Sequence, residues 1–434
     1  MQVSLESTSN IERRMTIGVP AEEVEQQVDE RLREAAKQVR LNGFRPGKVP
    51  MKVVRKRFGQ GVRQEVLGEV MRNAWMEAIQ EQDVQPASQP RFEPQTVEEG
   101  KDFEFVAVFE VMPEIQVGDL SQISVEKPWS EVQDKDINKM IDNLRRQQAT
   151  YKEVKRKAKK KDVMTIDFTG TIDGEEFEGG SGEDQQLTLG DGQMIAGFED
   201  QLVGAKTGEE HTLDVTFPED YQNEELAGKQ AQFQVTVKKV EEPQLPTLDK
   251  EFFEQFGVEA ETEEEFREEV RKNMERELKN GIQNRIKQQV IDGLLEVTEL
   301  EVPQGMVDQE IERMKQEAVQ QFGGQMDPSQ LPSELFQDQA QRRIKTGLLF
   351  QQLVQDANLE VDSERVDEKI REIASTYQDP DEVVEYYNNN EEEKQQIESS
   401  VLEDQVVDHV LENAKVKQKK YKYEDAVKPP QQGA

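Results

Sequence analysis

The feature that most constrains this 434-residue chain is a change of hydrophobic period along it. Between residues 162 and 242 apolar and polar side chains alternate: Met164, Ile166 and Phe168, then Leu187 and Leu189, then Leu213, Val215 and Phe217, and last Phe233, Val235 and Val237. A two-residue period puts alternate side chains on one face of a strand. Asp173-Gly174 supplies a hairpin turn between two of these runs. A short helix is expected among them with Ile195, Phe198 and Leu202 inward and Gly204 as its stop. Beyond Pro243 the period becomes helical and glycine grows scarce. Phe266, Val270, Met274, Leu278, Ile282 and Ile286 step by four, and later stripes run through Ile344 and Leu348, Val366 and Ile370, Ile397 and Val401, and Val407 and Val410. No fixed-period repeat is present, which argues against a solenoid.

Upstream the pattern is mixed. Val3 and Leu5, then Met15, Ile17 and Val19, read as strands, and Pro20 with two acids opens a helix striped by Val24, Val28, Leu32, Ala35 and Val39. A second helix carries Leu67, Met71, Ala74 and Ala78, and a strand from Phe103 to Val111 closes the unit before Pro113. Residues 114–149 give an extended stretch and an amphipathic helix through Ile137, Met140, Ile141 and Leu144. The basic run Lys155 to Lys161 reads as a hinge or solvated linker, and the tail YKYEDAVKPPQQGA is expected to be disordered.

Composition removes whole classes of chemistry. There is no Cys, so thiolate nucleophiles, disulfides and Cys-ligated metals are excluded. His211 and His409 are the only histidines, which leaves no basis for an imidazole-rich metal site or a Ser-His-Asp triad. No metal and no cofactor is expected. The opening residues MQVSLESTSNIERRMTIGVP lack the apolar core of a signal peptide, and no stretch approaches the ~20 apolar residues of a membrane span. Cytoplasmic residence without membrane association is the expectation.

Charge is distributed unevenly. The formal charge is −36, yet Arg31 to Gln64 holds eleven basic residues against Glu34 alone, which makes that window +10 and leaves −46 on the rest. As a whole-chain average, −36 argues against a phosphate-rich partner such as DNA; the island argues locally the other way. At its centre lies GFRPGKVP, with Phe44 beside Arg45 and Lys48. A solvated helical hairpin would explain the charges and glycines. It does not call for an aromatic residue at a loop tip.

GFRPGKVP resembles the ribosome-docking signature of the trigger factor family, and the order of regions along the whole chain is similar to that family's. The resemblance implies that Gly43, Phe44, Arg45, Gly47 and Lys48 contact a ribosomal protein and nearby RNA at the tunnel exit. Pro46 occupies a variable position of the motif and is given no role. The run IDFTGTIDGEEFEGG, followed by LTLGDGQMIAGFEDQLVG, resembles FKBP-type peptidyl-prolyl isomerases. That implies a pocket lined by Phe168, Phe177, Ile195, Phe198, Tyr221 and Phe233, with Glu178 as a polar wall and the Ile195 N–H as a carbonyl anchor. Phe198 and Tyr221 sit at the landmarks GFE and PEDY. Aromatics at strand spacing are, singly, as consistent with ordinary core. Gln185-Gln186 stands where single-domain FKBPs carry an aromatic, and the loop after Tyr221 is altered, which leaves macrolide-type ligands open.

The implied fold class is α+β and multidomain. An α/β ribosome-docking domain (1–112) leads through a linker and helix (113–149) to an FKBP-like antiparallel β-sheet domain with a short helix (150–246). An extended all-α chaperone domain with arms (247–434) follows. The implied function is a ribosome-associated chaperone that keeps nascent and unfolded polypeptides open for folding or export, and isomerises Xaa-Pro bonds. It would form a homodimer when free. The alternative is a free-standing isomerase dimerised by its helices. A nucleic-acid module using the island, the 155–161 run and Lys415–Lys422 is a third reading.

Overall fold

The computed structural model describes residues 1–39, 44, 49–221, 223, 225–321, 323–324, 327–377 and 379–428. Gly43, Arg45, Gly47 and Lys48, and the last six residues of the tail, lie outside the described residues. The elements run β1 (Gln2–Ser7), β2 (Glu12–Val19), α1 (Ala21–Gln38), α2 (Met51–Glu81), β3 (Arg91–Thr96), β4 (Phe103–Glu110), β5 (Ser124–Trp129) and α3 (Asp134–Gln147). They continue with β6 (Thr150–Glu153), β7 (Val163–Ile172), β8 (Glu175–Thr188), α4 (Phe198–Leu202), β9 (Glu210–Thr216), β10 (Gln230–Gln244) and α5 (Lys250–Gln255). The remainder is α6 (Glu263–Val297), α7 (Gln304–Gln321), α8 (Glu334–Asp356), α9 (Ser363–Ala374), α10 (Pro380–Asn389), α11 (Glu391–Asn413), β11 (Lys415–Lys420) and α12 (Tyr423–Val427).

The chain divides into two compact units. One comprises Met1–Lys127 with Asn284–Lys419. Its antiparallel sheet has the order β1-β2-β4-β3. Met15 pairs with Ala107, Ile17 with Phe105 and Val19 with Phe103, so the period-two pattern of both strands delivers one continuous apolar face. Helices α1 and α2 cover it with Val24, Val28, Leu32, Val66, Val70 and Trp75. In the helical part, α7 packs on α8 through Val307, Ile311, Met314 and Ala340, and α9 on α11 through Val366, Ile370 and Val401.

The other unit comprises Pro128–Gln283 with the C-terminal residues from Lys420. Its sheet runs β6-β10-β7-β8, with β9 added on β10, and each pairing is antiparallel. Asp173 (φ 52°) and Gly174 (φ 86°) both take the left-handed region that a tight turn between β7 and β8 requires. Met164, Ile166, Leu187, Leu213, Val235 and Val237 fill its core. A second core gathers Ile137 and Ile141 of α3, Phe252 and Phe253 of α5, and Phe266, Val270 and Met274 of α6. Ile195 lies just ahead of α4 rather than within it.

Two expectations are overturned. The run Lys155 to Lys161 is no hinge: Ala158 is 2% exposed, its N–H donates to Ala205 O at 2.8 Å, and its carbonyl accepts from Gly204 N–H at 2.9 Å. Arg156 pairs with buried Asp162 and with Glu242, and Lys161 with Asp191. A buried carboxylate needs a counter-charge held in place, so part of what reads as a solvated charge run supplies one. The described part of the tail, residues 421–428, is likewise packed rather than disordered. Tyr423 and Ala426 of α12 are buried against the core of α3, α5 and α6, an apolar pattern too short to register as a helical stripe.

Candidate functional site

Six aromatic rings converge on one part of the β unit. Phe198 of α4 lies 5.4 Å, centroid to centroid, from Phe233 of β10 and 6.2 Å from Phe168 of β7. Phe233 also meets Phe168 at 6.0 Å and Phe177 of β8 at 6.1 Å. Phe217 bridges to the rim, 5.9 Å from Phe177 and 4.9 Å from Tyr221. The rings lie against bare backbone. A Cβ on Gly170 would come within 2.5 Å of the Phe233 ring, and one on Gly180 within 2.8 Å of Phe177. The glycines of the FTG and EGG segments are therefore seats for aromatic rings, beyond any need for a turn.

Burial sorts the residues that sequence reading grouped together. Phe198 and Phe233 are buried and form a floor, while Phe168, Phe177 and Ile195 are half-buried and form a face. Tyr221 is exposed at the rim, and Glu178 is exposed beside Phe177. Such a surface is apolar, aromatic and without a nucleophile. Among the described residues no cluster of His, Asp and Glu could hold a metal.

The loop before α4 is held by one side chain. Glu199, 6% exposed, accepts hydrogen bonds from the backbone N–H groups of Gly190 (2.8 Å), Gly192 (2.9 Å), Gln193 (2.8 Å) and Met194 (3.1 Å). Burial alone would raise its pKa; the four N–H donors outweigh that and hold it below the usual carboxylate range. Glu199 thus fixes the segment leading to Ile195, whose own N–H has no backbone acceptor among the described residues. Sequence reading assigned neither Glu199, Met194 and Leu226 nor the strand residue Phe217 to the pocket, yet all four pack in or against this core. An acid directly after Phe198, just past a run that holds Gly190, Gly192 and Gly197, was the available signal for Glu199.

The basic island folds as the hairpin of α1 and α2. Three of its arginines are held by acids across the hairpin: Arg31 by Glu65 and Glu69 at 2.8 and 2.7 Å, Arg55 by Asp29, and Arg63 by Glu25. Arg33, Lys37, Lys52, Lys56 and Arg57 are exposed and form no ion pair with a described residue. The free charge is thus concentrated toward the loop joining the helices. Phe44, in that loop, is 40% exposed.

Residues 1–144 match the bacterial trigger factor protein family, residues 154–238 the FKBP-type peptidyl-prolyl cis-trans isomerases, and residues 262–412 the trigger factor C-terminus. Trigger factor of Marinobacter nauticus is 67% identical over 431 residues, covering 99% of each chain. That of Hahella chejuensis is 57% identical over 430 residues, covering 99% of this chain and 96% of its own. The chain belongs to the trigger factor family. It is a ribosome-associated chaperone for nascent polypeptides and an FKBP-type prolyl isomerase, and the matches on both sides of the isomerase region favour this over a free-standing isomerase. A solved trigger factor chaperone structure aligns over 95% of this chain and 99% of its own at 20% identity and a TM-score of 0.45.

Proposed function

We propose that the Xaa-Pro bond is isomerised over the face of Phe168, Phe177 and Ile195, with Phe198 and Phe233 beneath and Tyr221 and Glu178 at the edge. The observation that carries this is the ring cluster seated on glycine, beside a loop pinned by Glu199. Amide resonance sets a rotation barrier of ~18–20 kcal/mol. A dry aromatic surface removes the water that favours the planar, charge-separated amide, and a donated hydrogen bond from Ile195 N–H fixes the carbonyl beside the bond. The twisted state is then bound better than either planar one. No covalent step is needed.

Docking is assigned to the loop carrying Phe44, with Gly43, Arg45, Gly47 and Lys48, against a ribosomal protein and RNA at the tunnel exit. The unpaired cations of the hairpin and an exposed Phe beside them support it. The protein works in the cytoplasm, without DNA or a membrane as partner. It dimerises when free, since the docking face is otherwise uncovered.

Glu199→Gln tests the pocket. A neutral amide offers one weaker acceptor and an NH2 group to four N–H donors, which should cost about 3 kcal/mol of stability in this unit. Isomerase turnover on an Xaa-Pro peptide should fall at least tenfold. The sign with pH follows from the depressed native pKa. The Glu199 contribution is complete above its unfolded value of about 4.3 and is lost as pH falls through the native one. The stability gap between wild type and Glu199→Gln, measured by acid unfolding, should therefore close at low pH. A gap independent of pH would rule this role out.

A further inference from the structure

Residues Tyr421–Val427 lie in a groove that they do not fill. They place Tyr423 and Ala426 among the side chains of α3, α5 and α6, with Ala426 fully buried. Tyr423 Oη donates to Glu277 at 2.6 Å, Tyr421 N–H donates to Trp129 O at 2.9 Å, and Lys139 pairs with Glu424. The backbone comes unusually close to α6. A Cβ on Gly281 would lie 2.9 Å from both Ala426 O and Val427 Cα. Beside the segment is a cavity of about 240 Å³ walled by Met140, Leu144, Phe256, Phe266, Val270 and Met274, with Asn273 and Glu277 among its lining residues. Phe266, Val270 and Met274 belong both to this cavity and to the core that receives Tyr423. Glu277 holds Tyr423, so lifting the segment would join cavity and groove.

We propose that Tyr421–Val427 is a displaceable strap, and that this groove receives client polypeptide segments with the same chemistry: two aromatic residues, then small apolar ones, on an extended or single-turn backbone. The proposal rests on the chaperone reading above. Three properties point this way. A five-residue helix is too short to be stable alone, so the strap is helical only while seated. Only Tyr423 and Ala426 of the segment are buried, so displacing it breaks few apolar contacts. The cavity walls combine methionine with aromatic rings, which adapt to varied side chains. Tethering gives the strap an effective concentration of order millimolar, so that it excludes weak ligands and yields to stronger ones.

The test uses the full chain and a fluorescein-labelled peptide of residues 420–428, read by anisotropy. Ala426→Glu puts a carboxylate where no exposed surface exists and changes no groove residue. It should bind the peptide at least tenfold more tightly than wild type and slow the aggregation of an unfolded client more effectively. Adding Gly281→Ala, whose methyl blocks the same backbone approach, should abolish peptide binding. Isomerase turnover should be unchanged in both. In wild type, the amides of 421–427 should exchange with deuterium well ahead of those of α6 in the same core. Peptide binding no tighter in Ala426→Glu, loss of the unit's cooperative melting in that variant, or strap amides as protected as those of α6 would each overturn the proposal. Failure of wild type itself to slow client aggregation would instead count against the chaperone reading.

Discussion

Phe198→Ala should bring isomerase turnover on an Xaa-Pro peptide down to the uncatalysed rate. The ring is fully buried and touches both Phe168 and Phe233, so its removal takes the floor from beneath the proposed prolyl seat. Truncating a buried phenylalanine typically costs about 3–5 kcal/mol, including the cavity it leaves. That is a large part of a domain's stability. Loss of activity through unfolding must therefore be separated from loss of the surface. Phe198→Leu does so, because it removes the ring yet keeps most of the apolar volume and leaves a smaller cavity than alanine. It should keep the unit's cooperative melting while turnover falls at least tenfold. Full activity in folded Phe198→Ala would show that the bond turns elsewhere.

The second large effect is on ribosome binding. Phe44→Ala/Arg45→Ala/Lys48→Ala should pellet with ribosomes about a hundredfold less well than wild type. That is close to 3 kcal/mol spread over three contacts, two of them to charged partners. Phe44 is exposed, and Arg31, Arg55 and Arg63 already spend their charge on acids within the hairpin, so these three cannot substitute for the loop. Salt sensitivity alone does not discriminate, since any basic surface shows it. Arg33→Ala/Lys37→Ala supplies the comparison: equal loss there would reduce the loop to generic attraction. The −46 body should oppose wider contact with RNA, so reversing acidic residues away from the hairpin should add binding that lacks this loop dependence.

Much of the architecture was legible because it repeats locally. Met164, Ile166 and Phe168 alternate as a strand must, Asp173-Gly174 turns as its φ values require, and Phe266 to Leu278 steps along one face of α6. The grouping of Phe168, Phe177, Phe198, Tyr221 and Phe233 as one pocket came from resemblance alone; the rings of the four phenylalanines do meet in one cluster. What was misread has a common cause: its meaning depends on what packs against it, not on local spacing. Lysines and arginines look alike on paper whether solvated or, like Arg156, clamped on a buried Asp162. Residues 421–428 carry too few apolar positions to show a period, yet a groove formed by α3 and α6 orders them.

The sequence alone determined the elements and their sorting into sheet and helix, since those follow from side-chain spacing over a few residues. It also determined that this chain has no thiol chemistry and one concentrated basic element. Only the tertiary structure decided which aromatics are floor and which are face. It also decided that Glu199 pins the loop before Ile195, and that Arg31, Arg55 and Arg63 spend their charge inside the hairpin. Burial and pairing are properties of what packs against a residue, and no hydrophobic period encodes them, whether the partner stands five positions away, as Met194 does from Glu199, or 34, as Glu65 does from Arg31.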